Sequence, residues 1–298
     1  MELVDKLQLK AKSEELAIPY AQFLQGYMNE ELVSIISKST FSNVLWLKND
    51  NVLGLEACKR RVEQRVNYYY KEDKKLRPMD GFTPGQKMDD FFRAEFRDWL
   101  EGCYKREGFK PTFEWIDEKN LNINIEYDRI HIPVILTLEV IKDDSCYPMK
   151  AIYKRQLTGD DEITYLRFPT EESLAEHLFQ VVKNLELINE MEHYLRIYEI
   201  LKNSPVSGRK LSVRLKELCE KENVSVQKNI ITLLQKYRDY TYMKRKWKSL
   251  LRRQHIEEPS WEEVMDELLL FFEPVWNTLC EEDFFLGDWM PELSRFLD

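Results

Sequence analysis

At Phe168-Pro169 the apolar spacing of this chain changes from alternation to a three-and-four-residue recurrence, and that change limits what the chain can fold into. Before it, Ile123–Tyr127 and Ile130–Val140 alternate: Val134, Leu136, Leu138 and Val140 point one way, Ile135, Thr137 and Glu139 the other. One face is therefore core and the other partly polar, and Tyr127-Asp128-Arg129 reads as a tight turn closing a hairpin. A further short strand, Ile163–Phe168, ends at Pro169, where Thr170 with Glu171 and Glu172 is placed to cap a helix. Beyond it Leu174, Leu178, Val181, Leu185 and Ile188 form one helical stripe, and Met191, Leu195, Tyr198 and Leu201 another. Ser204–Gly208 reads as a turn, Lys210–Glu222 as a helix and Lys228–Arg253 as a long or paired helix. Pro259-Ser260-Trp261-Glu262-Glu263 opens a last helix expected to reach Phe272 and stop near Pro274.

The first half mixes both periods. Leu7 to Ile36 repeats as paired amphipathic helices would, Asn43–Lys48 is a short apolar strand, Val52–Cys58 is helical and Val62–Tyr70 is β-prone. Lys71–Pro84 reads as loop, and Gln86–Tyr104 as a strong helix whose Met88, Phe91, Phe96, Trp99 and Cys103 form a core stripe. With 298 residues and 43% apolar content there is ample core for two domains. The expected fold is α+β: a mixed sheet flanked by helices over residues 1–168, with a helical lead, then a helical C-terminal domain over 169–298.

Charge is unevenly spread. From Glu257 onward thirteen acids face Arg295 alone, so a net charge of −9 leaves the preceding residues slightly positive. Just before that tail, Lys244, Arg245, Lys246, Lys248, Arg252 and Arg253 form a basic helix suited to nucleic-acid phosphates, or to neutralising the acidic helix beside it. Five cysteines without any CxxC spacing imply reduced packing thiols and no zinc site. The absence of a long apolar run or a signal-peptide pattern implies a cytoplasmic protein without membrane contact.

The order of helical lead, Val44-Leu45-Trp46-Leu47-Lys48 strand, helix, hairpin, Phe168-Pro169-Thr170-Glu171 strand end, Ala175-Glu176-His177-Leu178 and Met191-Glu192-His193-Tyr194-Leu195-Arg196-Ile197-Tyr198 resembles the AbiEii family of nucleotidyltransferase-like toxins from type IV toxin–antitoxin and abortive-infection systems. The resemblance spans nearly the whole chain and implies a nucleotidyltransferase-like sheet. It also implies a glycine pair after the first strand, a DxD pair soon after, a third Asp on the hairpin strand, and a later Lys and Asp. Nucleotidyl transfer needs carboxylates for Mg²⁺, close backbone amides for phosphate and cations for the leaving pyrophosphate. Here Asn49-Asp50 stands at the glycines, no DxD occurs between Arg65 and Asp80, Thr137 stands at the third carboxylate and His177 at the lysine. Glu192 and His193 stand at the Lys-Asp pair, and Arg196 at the final Asp.

Asp50 and Glu139 remain as candidate catalytic carboxylates, with Asp73, Asp80 and the Asp89-Asp90 pair as further substitutes. Lys48, His177, His193 and Arg196 would give a cationic cleft for nucleotide or RNA phosphate without a metal. Three readings follow. The first is a pseudoenzyme of a bacterial or phage-linked defence or toxin system that binds nucleotide, RNA or a partner protein and needs no cofactor. The second is an active transferase using Mg²⁺ and NTP to modify RNA or protein. The third is an interaction subunit whose acidic tail, with Trp276, Phe284, Phe285, Trp289 and Phe296, docks a protein partner.

Overall fold

The computed structural model describes residues 6–48, 50–59, 65–71, 88–106, 110–141, 146–157 and 161–297. They form two compact units, Met1–Phe168 and Pro169–Asp298.

In the first unit α1 (Lys6–Glu15) and α2 (Tyr20–Ser37) lead into β1 (Leu45–Leu47), α3 (Gly54–Lys59), β2 (Arg65–Lys71) and α4 (Met88–Arg106). The strands β3 (Lys110–Trp115), β4 (Asn120–Tyr127), β5 (Ile130–Ile141), β6 (Met149–Lys154) and β7 (Glu162–Arg167) follow. They build one seven-stranded mixed sheet in the order β3-β4-β5-β2-β1-β7-β6. The β2–β5 and β1–β7 pairs are parallel and the others antiparallel.

Alternation decides which face is core. Leu45, Leu47, Val66, Tyr68, Val134, Leu136, Ile163 and Tyr165 lie in one cluster with Phe23, Met28, Leu32 and Ile36 of α2 and Phe96, Leu100 and Tyr104 of α4. Both helices thus cover the same face. The other face carries only a small cluster of Trp46, Tyr69, Ile141, Cys146 and Phe168, and keeps Asn67, Thr137 and Glu139. The β4–β5 hairpin closes at Asp128 (φ 51°) and Arg129 (φ 62°), two successive left-handed residues, as a two-residue turn matched to strand twist requires. At Gly26 a Cβ would stand 2.0 Å from Cys58 Sγ, so glycine is needed where α2 meets α3.

An ionic cluster lies inside this core. Glu30 and Glu31 of α2 and Arg155, just after β6, are all at most 4% exposed. Arg155 Nη2 donates to Glu31, Arg155 Nε lies 3.5 Å from Glu30 Oε2, and Tyr153 Oη donates to Glu30 Oε1 at 2.5 Å. Two carboxylates share one guanidinium, and burial pushes the Glu30 carboxyl up against the opposing pull of Tyr153 and Arg155.

The second unit contains α5 (Thr170–Asn184), α6 (Glu192–Asn203), β8 (Val206–Ser207), α7 (Gly208–Lys221), α8 (Asn229–Tyr237), α9 (Thr241–Gln254), α10 (Trp261–Cys280), β9 (Asp288–Met290) and β10 (Arg295–Leu297). The helices bury one apolar cluster, closed by a three-stranded sheet in the order β10-β9-β8. Four tryptophan indoles inside it each donate to a backbone carbonyl: Trp247 to Pro259, Trp261 to Tyr237, Trp276 to Gln227 and Trp289 to Leu201.

Several expectations are corrected. The last helix does not stop at Pro274 but runs to Cys280. Phe271, Phe272, Val275, Trp276 and Leu279 are buried on both sides of the proline, so core packing outweighs one lost hydrogen bond on a half-exposed flank. Ser260 and Glu263 open that helix with a reciprocal capping box. Thr170 is not a cap: Pro169 holds that position without a side-chain bond, Glu171 accepts from Ser207 N at 3.2 Å, and Glu172 pairs with Arg214 at 2.7 Å. Ser204–Gly208 contains a strand rather than only a turn, whereas Lys228–Arg253, read as a long or paired helix, is the pair α8 and α9. The edge strands β3 and β6 were not legible, because their side chains are half-buried or exposed. Most of the tail aromatics serve their own core: Trp276 and Trp289 are fully buried, Phe285 and Phe296 pack against them, and Phe284 is exposed.

Removing Arg155 leaves two buried carboxylates without their cation, so Arg155→Ala should cost about 3–5 kcal/mol in chemical denaturation. A carboxyl raised on folding contributes fully below the ordinary glutamate range and loses that contribution as pH rises through its raised value. The unfolding free energy of Glu30→Gln relative to wild type should therefore improve as pH increases through that window, and a flat difference would contradict the assignment.

Candidate functional site

The polar residues nearest the expected transferase centre lie where β1, β2, β5 and β7 run side by side. The register sets Leu47 opposite Tyr68 and Arg167, Asn67 opposite Thr137, and Tyr69 opposite Glu139. The second strand thus sets Asn67 and Tyr69 opposite the hairpin strand, and residues 72–80 of the stretch expected to hold the DxD pair lie outside the described residues. Thr137 donates to Asn120 Oδ1 at 2.8 Å, a structural bond across β4 and β5.

Both candidate carboxylates are held by cations. Asp50 Oδ2 receives Arg167 Nη1 at 2.9 Å and Tyr165 Oη at 3.4 Å. Glu139 Oε2 lies 3.4 Å from Lys48 Nζ, and that ammonium sits 4.7 Å from the centroid of the Tyr69 ring. Asp50 and Glu139 therefore face different partners. Among the described residues no group of three or more His, Cys, Asp or Glu is placed to hold a metal ion. Asp73, Asp80 and Asn49 lie outside the described residues, as do the side chains of Asp89 and Asp90.

At the start of α3, which follows the position of the expected glycine loop, Leu55 N–H bonds to Gln156 Oε1 at 3.0 Å. Gly54 stands at φ +85°, and a Cβ there would meet Gln156 Oε1 at 2.7 Å. Residues 54–55 are thus held against Gln156. Sequence reasoning missed Glu30, Gln156 and Arg167 here. The one available signal was a Glu-Glu pair inside the apolar run from Tyr27 to Val33, since acids buried on an apolar helix demand a cation.

The other predicted binding residues belong to the second unit. His177 of α5 and His193 of α6 meet through Nδ1 atoms 2.9 Å apart, with rings 5.1 Å between centroids. His193 Nε2 lies 3.6 Å from Glu190. Arg196 Nη1 donates to Glu199 at 2.5 Å. Sixteen residues separate the two histidines, too irregular a spacing for a sequence motif.

The basic helix divides. Lys244 pairs with Glu262 at 2.6 Å and Asp239 at 3.6 Å, Arg253 pairs with Glu192, and Lys246 donates to Ile188 O at 2.6 Å while lying over Tyr242. Arg238 makes a two-pronged bond to Asp266 at 2.6 and 2.8 Å, which raises the guanidinium and lowers the carboxyl. Arg245, Lys248 and Arg252 are exposed and make no ion pair among the described residues. Neutralisation therefore claims one part of the cluster and leaves a stripe.

No family model matches this chain, and no curated protein matches it significantly. No helix among the described residues is long and apolar enough to cross a membrane.

An Nδ1···Nδ1 contact requires one ring to donate and the other to accept, so the neutral pair must hold opposite tautomers. Long-range ¹H–¹⁵N correlation spectra at pH 8 should show one ring protonated at Nδ1 and the other at Nε2. Two rings in the same tautomer would rule the contact out.

Proposed function

We propose that this chain is a nucleotidyltransferase-like protein that binds a phosphate-bearing ligand instead of transferring nucleotides, in the defence or toxin setting that its resemblance implies. One observation carries the reading: Asp50 and Glu139, the candidate carboxylates among the described residues, are turned to different cations, Arg167 and Lys48 respectively. Magnesium chemistry needs several converging oxygens, and these two acids do not share a partner. The Leu55 amide, held by Gln156, supports the same conclusion, because a transferred triphosphate needs such amides open to it.

Binding is supported by the weakness of one of these pairs. Lys48 and Glu139 are partly exposed and 3.4 Å apart, a geometry that contributes about 0–1 kcal/mol. A dianionic phosphate would compete for the ammonium on favourable terms, while the buried Tyr69 ring beneath it positions that ammonium. The element order of helix, short strand, helix, strand, helix and hairpin strand is in keeping with the framework the resemblance implies.

Calorimetric titration with each nucleoside triphosphate should show binding that survives removal of Mg²⁺ and weakens about tenfold in Lys48→Ala, the loss of one charge-assisted contact. Mg²⁺-dependent transfer of label from NTP to RNA or protein, abolished by Asp50→Ala or Glu139→Ala, would establish the active transferase instead. Absence of any nucleotide binding would leave the interaction-subunit reading.

A further inference from the structure

Three tyrosines form a ladder between a cleft and the exposed basic stripe of the second unit. The cleft, about 710 Å³, lies between residues 183–187 and the α8–α9 turn. Leu187 and Leu233 line it with Tyr237 and Tyr240, and Lys236 stands at its border. Leu187 is 76% exposed, an unusual place for a leucine without a ligand or partner. Tyr237 and Tyr240 are stacked, 6.2 Å between centroids at 26°, and Tyr242 follows 6.0 Å from Tyr240. Tyr240 and Tyr242 are each more than 40% exposed.

The ladder leads onto α9, whose sequence holds six cations and no acid. Arg245, Lys248 and Arg252 recur at three and four residues, so they share one face and span about 10 Å along the axis. The buried Met243, Trp247, Leu250, Leu251 and Gln254 occupy the opposite side and hold that face outward. The cleft itself is different in character: Glu186 and Asp239 border it opposite Lys183 and Lys236, so its lining carries no net charge and suits a neutral, flat group.

We propose that this surface binds single-stranded nucleic acid, with a base stacked on Tyr240 in the cleft and the phosphates following Arg245, Lys248 and Arg252. A single strand offers base faces together with a phosphate every few ångströms, which matches an aromatic step beside a cationic stripe. A duplex hides its base faces, and an acidic protein segment has no use for stacked tyrosines. The site is independent of the nucleotide reading for the first unit, since it uses none of those residues.

The test is fluorescence anisotropy of the full chain with labelled oligo(U) RNA, oligo(dT), a duplex of equal length, and polyglutamate as competitor. Both single strands should bind more tightly than the duplex, and a preference between them distinguishes RNA from DNA as the source. Three phosphate contacts predict that log K falls with log salt at a slope of about −2. Replacing Arg245, Lys248 and Arg252 together by Gln should bring that slope near zero. Tyr240→Ala should weaken binding about 5- to 150-fold, the range for loss of one stacked base. All these side chains are exposed at least in part, and unchanged melting temperatures would show the variants folded. Lys150→Gln, an exposed cation of the first unit, should leave the affinity unaltered, which separates the stripe from general positive charge. Equal or tighter duplex binding, displacement by polyglutamate, or no binding at low salt would each overturn the proposal.

Discussion

The buried sharing of Arg155 between Glu30 and Glu31 is the constraint on which the first unit turns. It lies where α2, the end of β6 and the start of α3 come together, and each of those elements would leave an unsatisfied charge or amide without the others. The cation neutralises the acids, Tyr153 donates to Glu30, and Gln156 holds Leu55 N–H. Burial also pushes the neighbouring Cys58 thiol up to about 12, so that cysteine is a packing group beside Gly26 and not a nucleophile. The same contacts fasten the start of α3 to the core.

Much of the architecture was legible because burial and periodicity coincide. The alternation of Val134, Leu136 and Leu138 against Ile135, Thr137 and Glu139 is the alternation of the two sheet faces. Asp128 and Arg129 took the left-handed turn that their place between two alternating runs requires. Where burial is weak the signal fades: β3 and β6 are sheet edges with partly exposed side chains, and β3 tolerates Pro111 for that reason. Pro274 misled in the opposite direction, since a local rule about helix ends gave way to five buried neighbours. The site was less legible than the fold. Asp50 and Arg167 are 117 positions apart in the chain, and Glu30 and Arg155 are 125 apart, so the pairs exist only after the sheet is assembled.

The acidic tail illustrates how composition can point outward while structure points inward. Of the acids on α10, Glu262 meets Lys244, Asp266 meets Arg238, and Glu267 meets Lys202 at 2.7 Å. Beyond it, Glu281 meets Lys228 at 3.3 Å. Apart from the buried Glu267, these are exposed pairs that contribute little individually, so the unit's stability rests on its apolar cluster and satisfied indoles. Their consequence is electrostatic: they cancel much of the local field of the acidic tail within its own unit.

That cancellation decides how the remaining cations can act. A chain of net charge −9 repels polyanions at long range, so attraction must arise within about one Debye length, roughly 8 Å at physiological salt. Lys244, Arg238 and Lys202 are already engaged with acids of α10, which keeps those acids from shielding Arg245, Lys248 and Arg252 by direct pairing. A field so short in reach favours a flexible ligand that can bring its charges close, one phosphate at a time, over a rigid rod that must approach with its whole charge density. The electrostatics of the second unit and the geometry of its tyrosine ladder therefore select for the same ligand shape on separate grounds.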